Sequence, residues 1–387
     1  MIDSHLTSAP PAERSVVIAA GGTGGHICPG LALADALRSL RPETRVCFTG
    51  TTRGMESRLI PAAGYRLHTV DMIPFAKNLG ARRFSLPIAL ARASWQCARL
   101  LRRENAAVAV GMGGYASAPL IAGARLAGVP ALIHESNAVA GRANAFSALL
   151  TENVAVAGET TGLPRRGRIV GMPLHRHFAG FDRTSLRPAA RRSLGIPEDA
   201  FLVLVNGGSQ GSARLNEAAV ELARTWRADP GVRFLIKAGA GGAEPLNARL
   251  AAAGAPATAV DYLDRMDLAY AAADLAVCRA GSATVAELAR VGLPAVLVPY
   301  PHAPRDHQRH NAEALAAKGA AELLPDEAVT GTALATVLGS LRDNPARLAR
   351  MADASAGTSI PDAADRLARW ALDLAGLTAP AREGALV

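Results

Sequence analysis

Twice in this chain a short apolar run with β-branched residues ends in a glycine-rich turn and passes straight into an alanine-rich helical pattern. Residues 15–20 (SVVIAA) lead into GGTGGHICPG and a helix over 31–40; residues 201–205 (FLVLV) lead into NGGSQGS and a helix through 215–222. A strand, a tight glycine turn and a helix open a βαβ unit, whose right-handed crossover leaves few topologies. The rhythm continues after each opening. Residues 45–49 and 107–110 read as strands, 119–126 as a helix stopped by Gly128, and 130–133 as a strand entering HESN. In the second half, 233–237, 275–278 and 295–299 read as strands and 268–273 as a helix. Strands that are apolar throughout, alternating with helices, belong to a parallel sheet covered on both faces. The expected fold class is α/β with two doubly wound halves.

A length of 387 residues suits two such halves, at about 150 residues per domain. The boundary is expected near 169–173, because 174–200 is charged, proline-containing and weakly patterned. An amphipathic helix is expected at 362–374 and a loose tail at 378–387. Four widely spaced cysteines without a CxxC pair point to free thiols in a reducing compartment. The first fifteen residues show no charged-then-apolar leader, and no apolar run reaches spanning length, so a cytoplasmic protein is expected. The net charge of +9 suits an anionic partner, but aromatic residues are only 4% and zinc-finger spacing is absent, which argues against nucleic acid.

In an open parallel sheet, ligands sit outside the carboxyl ends of the strands. Three glycine-rich segments fall there. The first, residues 21–26 (GGTGGH), lacks the Lys-Ser/Thr pair of a P-loop and the third glycine of a dinucleotide fingerprint. His26 at its end suits a general base near neutral pH, or it caps the helix and bonds its own loop. The second, residues 206–212, combines glycines, hydroxyls and a helix start, as a diphosphate cradle would, or is a plain tight turn. In the third, residues 279–287, Ser282 or Thr284 can cap a helix whose amides face phosphate. Glu287 there can accept from sugar hydroxyls or stand as a first-turn carboxylate. The three histidines of 302–310 fit no zinc spacing, and Arg305 and Arg309 among them repel a cation, so no metal is expected.

Between Met72 and Arg103 the chain holds Lys77, Arg82, Arg83, Arg92, Arg99, Arg102 and Arg103 and no acidic residue. Arg92, Trp95, Arg99 and Arg102 share one side of a helix, which suits an anionic bilayer surface. The alternative is a solvated basic helix with Trp95 packed inward. Phe75, Leu79 and Phe84 are the apolar residues best placed for insertion.

GGTGGHICPG, GMGGYASAP, HESNAVAGRAN, NGGSQGSARLNE, CRAGSATVAELARVGLPAVLVPYP and DHQRHNA together resemble, in order, one family. It is that of the UDP-N-acetylglucosamine–N-acetylmuramyl-(pentapeptide) pyrophosphoryl-undecaprenol N-acetylglucosamine transferases, and the likeness runs from about Ser15 to Leu374. It implies a GT-B fold, two Rossmann-like domains facing a central cleft. Residues 1–172 would hold the acceptor and face the membrane; 173–387 would bind the UDP-sugar, with the last helix free to pack back on the first domain. It implies an inverting transfer of GlcNAc from UDP-GlcNAc to the C4 hydroxyl of MurNAc on undecaprenyl diphosphate, without a metal or other cofactor. The implied location is peripheral, on the cytoplasmic face of the cell membrane, with other cell-wall synthesis proteins as possible partners.

Carried over by position, the resemblance places Thr23, Gly24 and Gly25 near the donor sugar and diphosphate, with His26 as the base. Asn137 touches the transferred sugar, Tyr115 lies in the acceptor-side glycine loop, and Ser209 meets the donor phosphates. The Leu263 backbone reads uracil. Ser282, Ala283, Thr284, Val285 and Ala286 wrap the diphosphate and ribose, Glu287 takes the ribose hydroxyls, and Gln308 holds the GlcNAc hydroxyls. Phe75, Lys77, Leu79, Arg82, Arg83, Phe84, Arg92 and Trp95 look like the family's membrane patch. Two departures stand out. The family's hinge GNPVR reads Gly171-Met172-Pro173-Leu174-His175 here, so the charge toward the diphosphate falls to His175⁺ or Arg176, and the glutamine of HEQN is Ser136. Rival readings are another GT-B transferase with a lipid or small-molecule acceptor and a non-catalytic nucleotide-sugar-binding partner.

Overall fold

The computed structural model describes residues 14–72 and 86–377. The loose tail expected at 378–387 lies outside them. Two all-parallel sheets organise the rest. The first contains β1 (Ser15–Ala19), β2 (Arg45–Gly50), β3 (Arg66–Thr69), β4 (Ala106–Gly111), β5 (Ala131–Glu135), β6 (Asn153–Val156) and β7 (Arg168–Ile169), in spatial order β3-β2-β1-β4-β5-β6-β7. The second contains β8 (Phe201–Asn206), β9 (Val232–Lys237), β10 (Ala257–Val260), β11 (Leu275–Cys278), β12 (Ala295–Leu297) and β13 (Ala321–Leu323), in order β10-β9-β8-β11-β12-β13.

The intervening helices of the first half are α1 (Gly24–Leu40), α2 (Glu56–Ala62), α3 (Leu86–Arg103), α4 (Ser117–Ala127) and α5 (Arg142–Ser147). Those of the second are α6 (Arg183–Ser193), α7 (Ala213–Thr225), α8 (Ala243–Ala252), α9 (Met266–Ala272), α10 (Ser282–Val291), α11 (His307–Ala316), α12 (Gly331–Arg342) and α13 (Pro345–Ala356), and the last helix, α14 (Ala363–Leu374), returns to the first. Successive strand residues point to opposite faces, so Val16 and Ile18 join one apolar layer and Val17 and Ala19 the other. In β8, Val203 and Val205 face one layer and Leu202 and Leu204 the opposite one. Burial on both faces is why these strands read as unbroken apolar runs.

The strand order reverses beside β1 in one sheet and beside β8 in the other. Each reversal opens a crevice at the carboxyl ends, and the two glycine-rich openings of the sequence lie in those crevices. Most expected boundaries shift by three residues or fewer, and one by more. Helix α1 starts at Gly24, seven residues before the expected 31, so His26 lies in its first turn. Glycine and Pro29 hid the helix because their propensity is low. Packing overrides it: a Cβ on Gly30 would fall 2.9 Å from the Ala20 Cβ, so this helix start lies directly on the end of β1.

In the second half, Arg191 of α6 is fully buried and donates to the carbonyls of Pro197, Glu198, Ala200 and Ala272 and, at 2.7 Å, to Asp274. Asp274 also accepts from Arg187 at 2.5 Å and from the Leu202 amide at 2.8 Å. This network fixes α6 to the starts of β8 and β11.

The chain passes between the halves twice, at Gly171 and again at 357–362, where α13 leads back to α14. Leu367, Ala368, Ala371 and Leu372 of α14 are buried with Val16, Ile18, Leu33 and Leu37 of the first half. At Gly171 (φ +92°) a Cβ would fall 2.7 Å from the Ile360 Cβ and 2.8 Å from the Ala363 Cβ, so the two crossings touch. The buried His134 ring donates through Nε2 to the Gly171 carbonyl at 2.8 Å.

Candidate active site

The first crevice is tied together by a carboxylate. Glu56, at the start of α2 and wholly buried, accepts from the Gly22 amide (3.1 Å), the Thr51 amide and hydroxyl (3.1 and 3.0 Å) and the Tyr115 hydroxyl (2.8 Å). The loops after β1, β2 and β4 therefore share one anion. Burial pushes its carboxyl up, but the Gly22 amide, Tyr115 hydroxyl and Thr51 amide outweigh that and hold it below the usual range.

His26 lies between the loops after β1 and β4. Its Nδ1 is 3.2 Å from Thr23 Oγ1, and the Gly21 carbonyl accepts from the ring. The GMGGY glycines exist to admit this ring: a Cβ at Gly113 (φ +91°) would fall 2.8 Å from His26 Cδ2, and one at Gly114 (φ +74°) 2.2 Å from the Gly21 oxygen. Burial pulls the imidazole below its ordinary value, with Glu135 opposing and His307 adding to the effect. The ring is thus neutral near pH 7.

Glu135, at the end of β5, accepts from the Asn137 amide and side chain, the Gly141 amide and the Asn144 side chain, all at 2.9–3.0 Å. That folds HESNAVAG and points Asn137 at the second half. There Asn311 of α11 donates to Asn137 Oδ1 at 3.2 Å and to the Ala280 carbonyl at 3.1 Å, and accepts from the Ala138 amide at 2.8 Å. The cleft is spanned by direct bonds.

In the second crevice, Ser209 is exposed at the crest of the loop after β8. Ser282 and Thr284 do not cap α10 as expected. Gly281 holds the N-cap position with no side-chain cap bond, because Ser282 is already helical, and the first amides of α10 have no side-chain acceptor. Glu287 lies one turn in, partly open to the cleft, and accepts from the Tyr270 hydroxyl at 2.9 Å. Burial pushes its carboxyl up to about 7, against the pull of that hydroxyl and Lys237. Ala283, Val285 and Ala286 line the same turn, and Leu263 is half-buried in the loop after β10. Gln308 accepts through Oε1 from the Ala280 and Tyr300 amides (3.2 and 3.0 Å), leaving its NH2 group as the end available to a ligand.

The hinge residues diverge. His175 accepts at Nδ1 from the His177 amide and meets that ring edge-on. Burial, with His177 and Arg176 adding to it, draws its imidazole below the ordinary value, so His175 is neutral near pH 7. Arg176 is exposed beside it and is the cation of this segment. In 302–310 the histidines turn to separate partners: His307 donates to the Pro304 carbonyl, and His310 faces Glu313 at 3.3 Å.

Phe75, Lys77, Leu79, Arg82, Arg83 and Phe84 lie outside the described residues. On α3, Arg92, Arg99 and Arg102 are exposed, and Trp95 is 55% exposed with the Arg99 guanidinium 4.5 Å above its ring. Trp95 therefore points outward, beside Ile88 at 73% exposure, while Ala93, Cys97 and Leu101 form the buried side. No helix among the described residues is long and apolar enough to cross a membrane.

Glu56, Tyr270 and Asn311 escaped the sequence reading. Asn311 stands inside DHQRHNA, but its reach across the cleft needs the two halves in place. Glu56 had a usable signal: it follows the glycines at 50 and 54, which leave its carboxylate room.

Residues 16–156 match the glycosyltransferase family 28 N-terminal domain and residues 202–367 the glycosyltransferase family 28 C-terminal domain. Over 364 residues the chain is 42% identical to the UDP-N-acetylglucosamine--N-acetylmuramyl-(pentapeptide) pyrophosphoryl-undecaprenol N-acetylglucosamine transferase of Mycolicibacterium vanbaalenii, covering 93% of this chain and 90% of that protein. It is 42% identical over 377 residues to the protein of the same name from Mycobacterium tuberculosis H37Rv, covering 95% and 91%. The crystal structure of Acinetobacter baumannii MurG superposes with a TM-score of 0.77 at 29% identity, covering 93% of this chain and 99% of that one.

Proposed function

We infer the chemistry from family membership: the chain belongs to the family of UDP-N-acetylglucosamine–N-acetylmuramyl-(pentapeptide) pyrophosphoryl-undecaprenol N-acetylglucosamine transferases. It transfers N-acetylglucosamine from UDP-N-acetylglucosamine to undecaprenyl-pyrophosphoryl-N-acetylmuramyl-pentapeptide, turning lipid I into lipid II. One observation carries the assignment of roles: a neutral imidazole in the crevice of one half lies across a bonded cleft from free helix amides and a carboxyl in the other.

In this reading the second half holds the donor. The α10 amides and the 207–212 loop face the diphosphate, Glu287 accepts from the ribose hydroxyls, and the Leu263 backbone reads uracil. Asn137 and Gln308 contact the GlcNAc. The MurNAc C4 oxygen attacks the sugar C1 in line with the departing diphosphate, which inverts an α-linked donor to a β product. The C1–O bond to UDP breaks with its electron pair on the phosphate oxygen, where fixed amides stabilise the growing charge. The hydroxyl proton goes to His26. With Nδ1 beside the Thr23 hydroxyl, Nε2 is the nitrogen left to accept it. Incubation with radiolabelled UDP-GlcNAc and a lipid I analogue in EDTA tests the whole reading: labelled lipid product is expected, and folded protein that forms none overturns it.

Glu287 gives a pH signature. A carboxylate accepts from ribose hydroxyls better than a carboxylic acid does, so the donor favours the ionised form. With the carboxyl at about 7 in the empty site, UDP-GlcNAc affinity should rise by roughly tenfold between pH 6 and pH 8. The donor's diphosphate diester does not titrate there. Calorimetry across this range should show the rise in the wild type and a flat profile in Glu287→Gln; a flat wild-type profile refutes the role.

The exposed face of α3, with Arg92 and Trp95, rests on the anionic cytoplasmic face of the membrane in this reading, together with the segment that carries Lys77, Arg82 and Arg83. Replacing Arg82, Arg83 and Arg92 by Glu should abolish sedimentation with phosphatidylglycerol-rich liposomes while sparing transfer to a soluble short-chain acceptor. Unchanged partition would exclude this surface.

A further inference from the structure

Three arginine or lysine side chains are buried among the described residues: Arg191, Lys237 and Arg279, at 1%, 5% and 8% exposure. A buried cation needs a counter-charge, because its lost hydration is otherwise unreplaced. Arg191 meets Asp274 at 2.7 Å and Arg279 meets Asp326 at 2.6 Å. Lys237, the last residue of β9, differs. Its ammonium donates to the Gly208 carbonyl at 2.7 Å and stands 5.5 Å from the Tyr262 ring centre, and it forms no ion pair among the described residues. Glu287 acts on it only through space, and that carboxyl is already bonded to Tyr270. An ammonium has three N–H donors, and one neutral carbonyl does not balance its charge.

Its position says what would. Gly208 belongs to the turn that precedes Ser209, and Tyr262 adjoins Leu263, so the ammonium lies under the loop after β8 and beside the loop after β10. The β8 loop lies at the switch point of the second sheet, and β9 with its Lys237 is the strand beside it, between β8 and β10. A lysine fixed there by its own strand is a preorganised positive charge at a crevice whose helix amides already favour anions.

We propose that Lys237 is a donor-recognition residue, the fixed counter-charge for the diphosphate of the nucleoside-diphosphate sugar. This rests on the reading of the second crevice as the donor site. The competing role is a clamp that only holds the Gly208 carbonyl. Lys237→Gln separates the two, since an amide can still donate to that carbonyl but carries no charge.

Calorimetry of the full-length protein with UDP and with uridine reads the difference. In Lys237→Gln, UDP affinity should fall by about 10- to 100-fold, the range for a hydrogen bond to a charged group, with uridine affinity nearly unchanged. Lys237→Arg should recover most of the loss, and the KM for UDP-GlcNAc should rise more than kcat falls. Equal losses for UDP and uridine, or no loss of either, would overturn the assignment. Should Lys237→Gln not fold, Lys237→Met judged by the same UDP-to-uridine ratio decides it. Wild-type protein that binds neither ligand would overturn the donor-site reading along with this one. Wild-type binding with an unaltered variant overturns Lys237 alone.

Discussion

Replacing His26 by alanine is expected to lower kcat by roughly 100-fold or more, the usual contribution of a positioned base, and to leave UDP affinity nearly unchanged. The residue is in the first turn of α1, its Nδ1 bound to Thr23 and its ring held against Gly113 and Gly114. No rotation is needed before it can accept a proton. Its pKa is drawn below the ordinary 6.5, so the imidazole stays mostly unprotonated at pH 6.5 and above, and kcat at saturating UDP-GlcNAc, where the titration of Glu287 no longer limits binding, should decline only as the pH drops beneath that. The alanine variant should lose this acid limb together with its rate. A steady-state assay with a soluble lipid I analogue measures both, and wild-type kcat in the variant removes His26 as the base. Gly114→Ala should be nearly as damaging for another reason. Its methyl group would displace the Gly21 carbonyl, against which the ring is set.

The largest effect on stability is expected at Asp274. Alanine there leaves Arg191 fully buried without a counter-charge and removes the acceptor for the Leu202 amide and Arg187. Breaking a buried ion pair from one side costs about 3–5 kcal/mol, which for a domain of this size is a thermal midpoint lower by on the order of 10 °C. The loss should appear in the second half, followed by UDP-protected thermal unfolding. A midpoint within about 2 °C of wild type would mean that Arg191 is held by its four carbonyl acceptors alone.

What the sequence disclosed follows from which forces are local. Period and composition exposed the strands of both sheets, since residues such as Val16–Ile18 and Leu202–Val205 are apolar on both faces. Glycine loops after β1, β4, β8 and β11 were readable because their residues are adjacent in the chain, and they sit at the switch points. Helix α1 was misjudged at its start, where contact with Ala20 outweighs the poor propensity of Gly24, Gly25 and Pro29. The cap of α10 was misjudged because Ser282 suits an N-cap by type but is one position too late. The polar side chains that hold the site together were hidden. Glu56 collects donors from three loops, and Asn311 bonds to a residue 174 positions away, so neither leaves a periodic trace. Substrate identity came from the ordered motifs and not from any pattern in the chain.

The two crossings between the halves have a mechanical consequence. A single linker would let one half swivel about the chain axis, whereas two linkers in contact at Gly171 and Ile360 act as a double-pinned door. Two crossings should resist torsion of one half against the other more than a single linker would, and the motion they leave softest should be opening and closing at this point. With torsion limited, the lips of the cleft should meet in the same register after each opening, which would return Asn311 to Asn137 and not to a neighbour. A methyl group at position 171 would wedge between the pins and hold the door ajar.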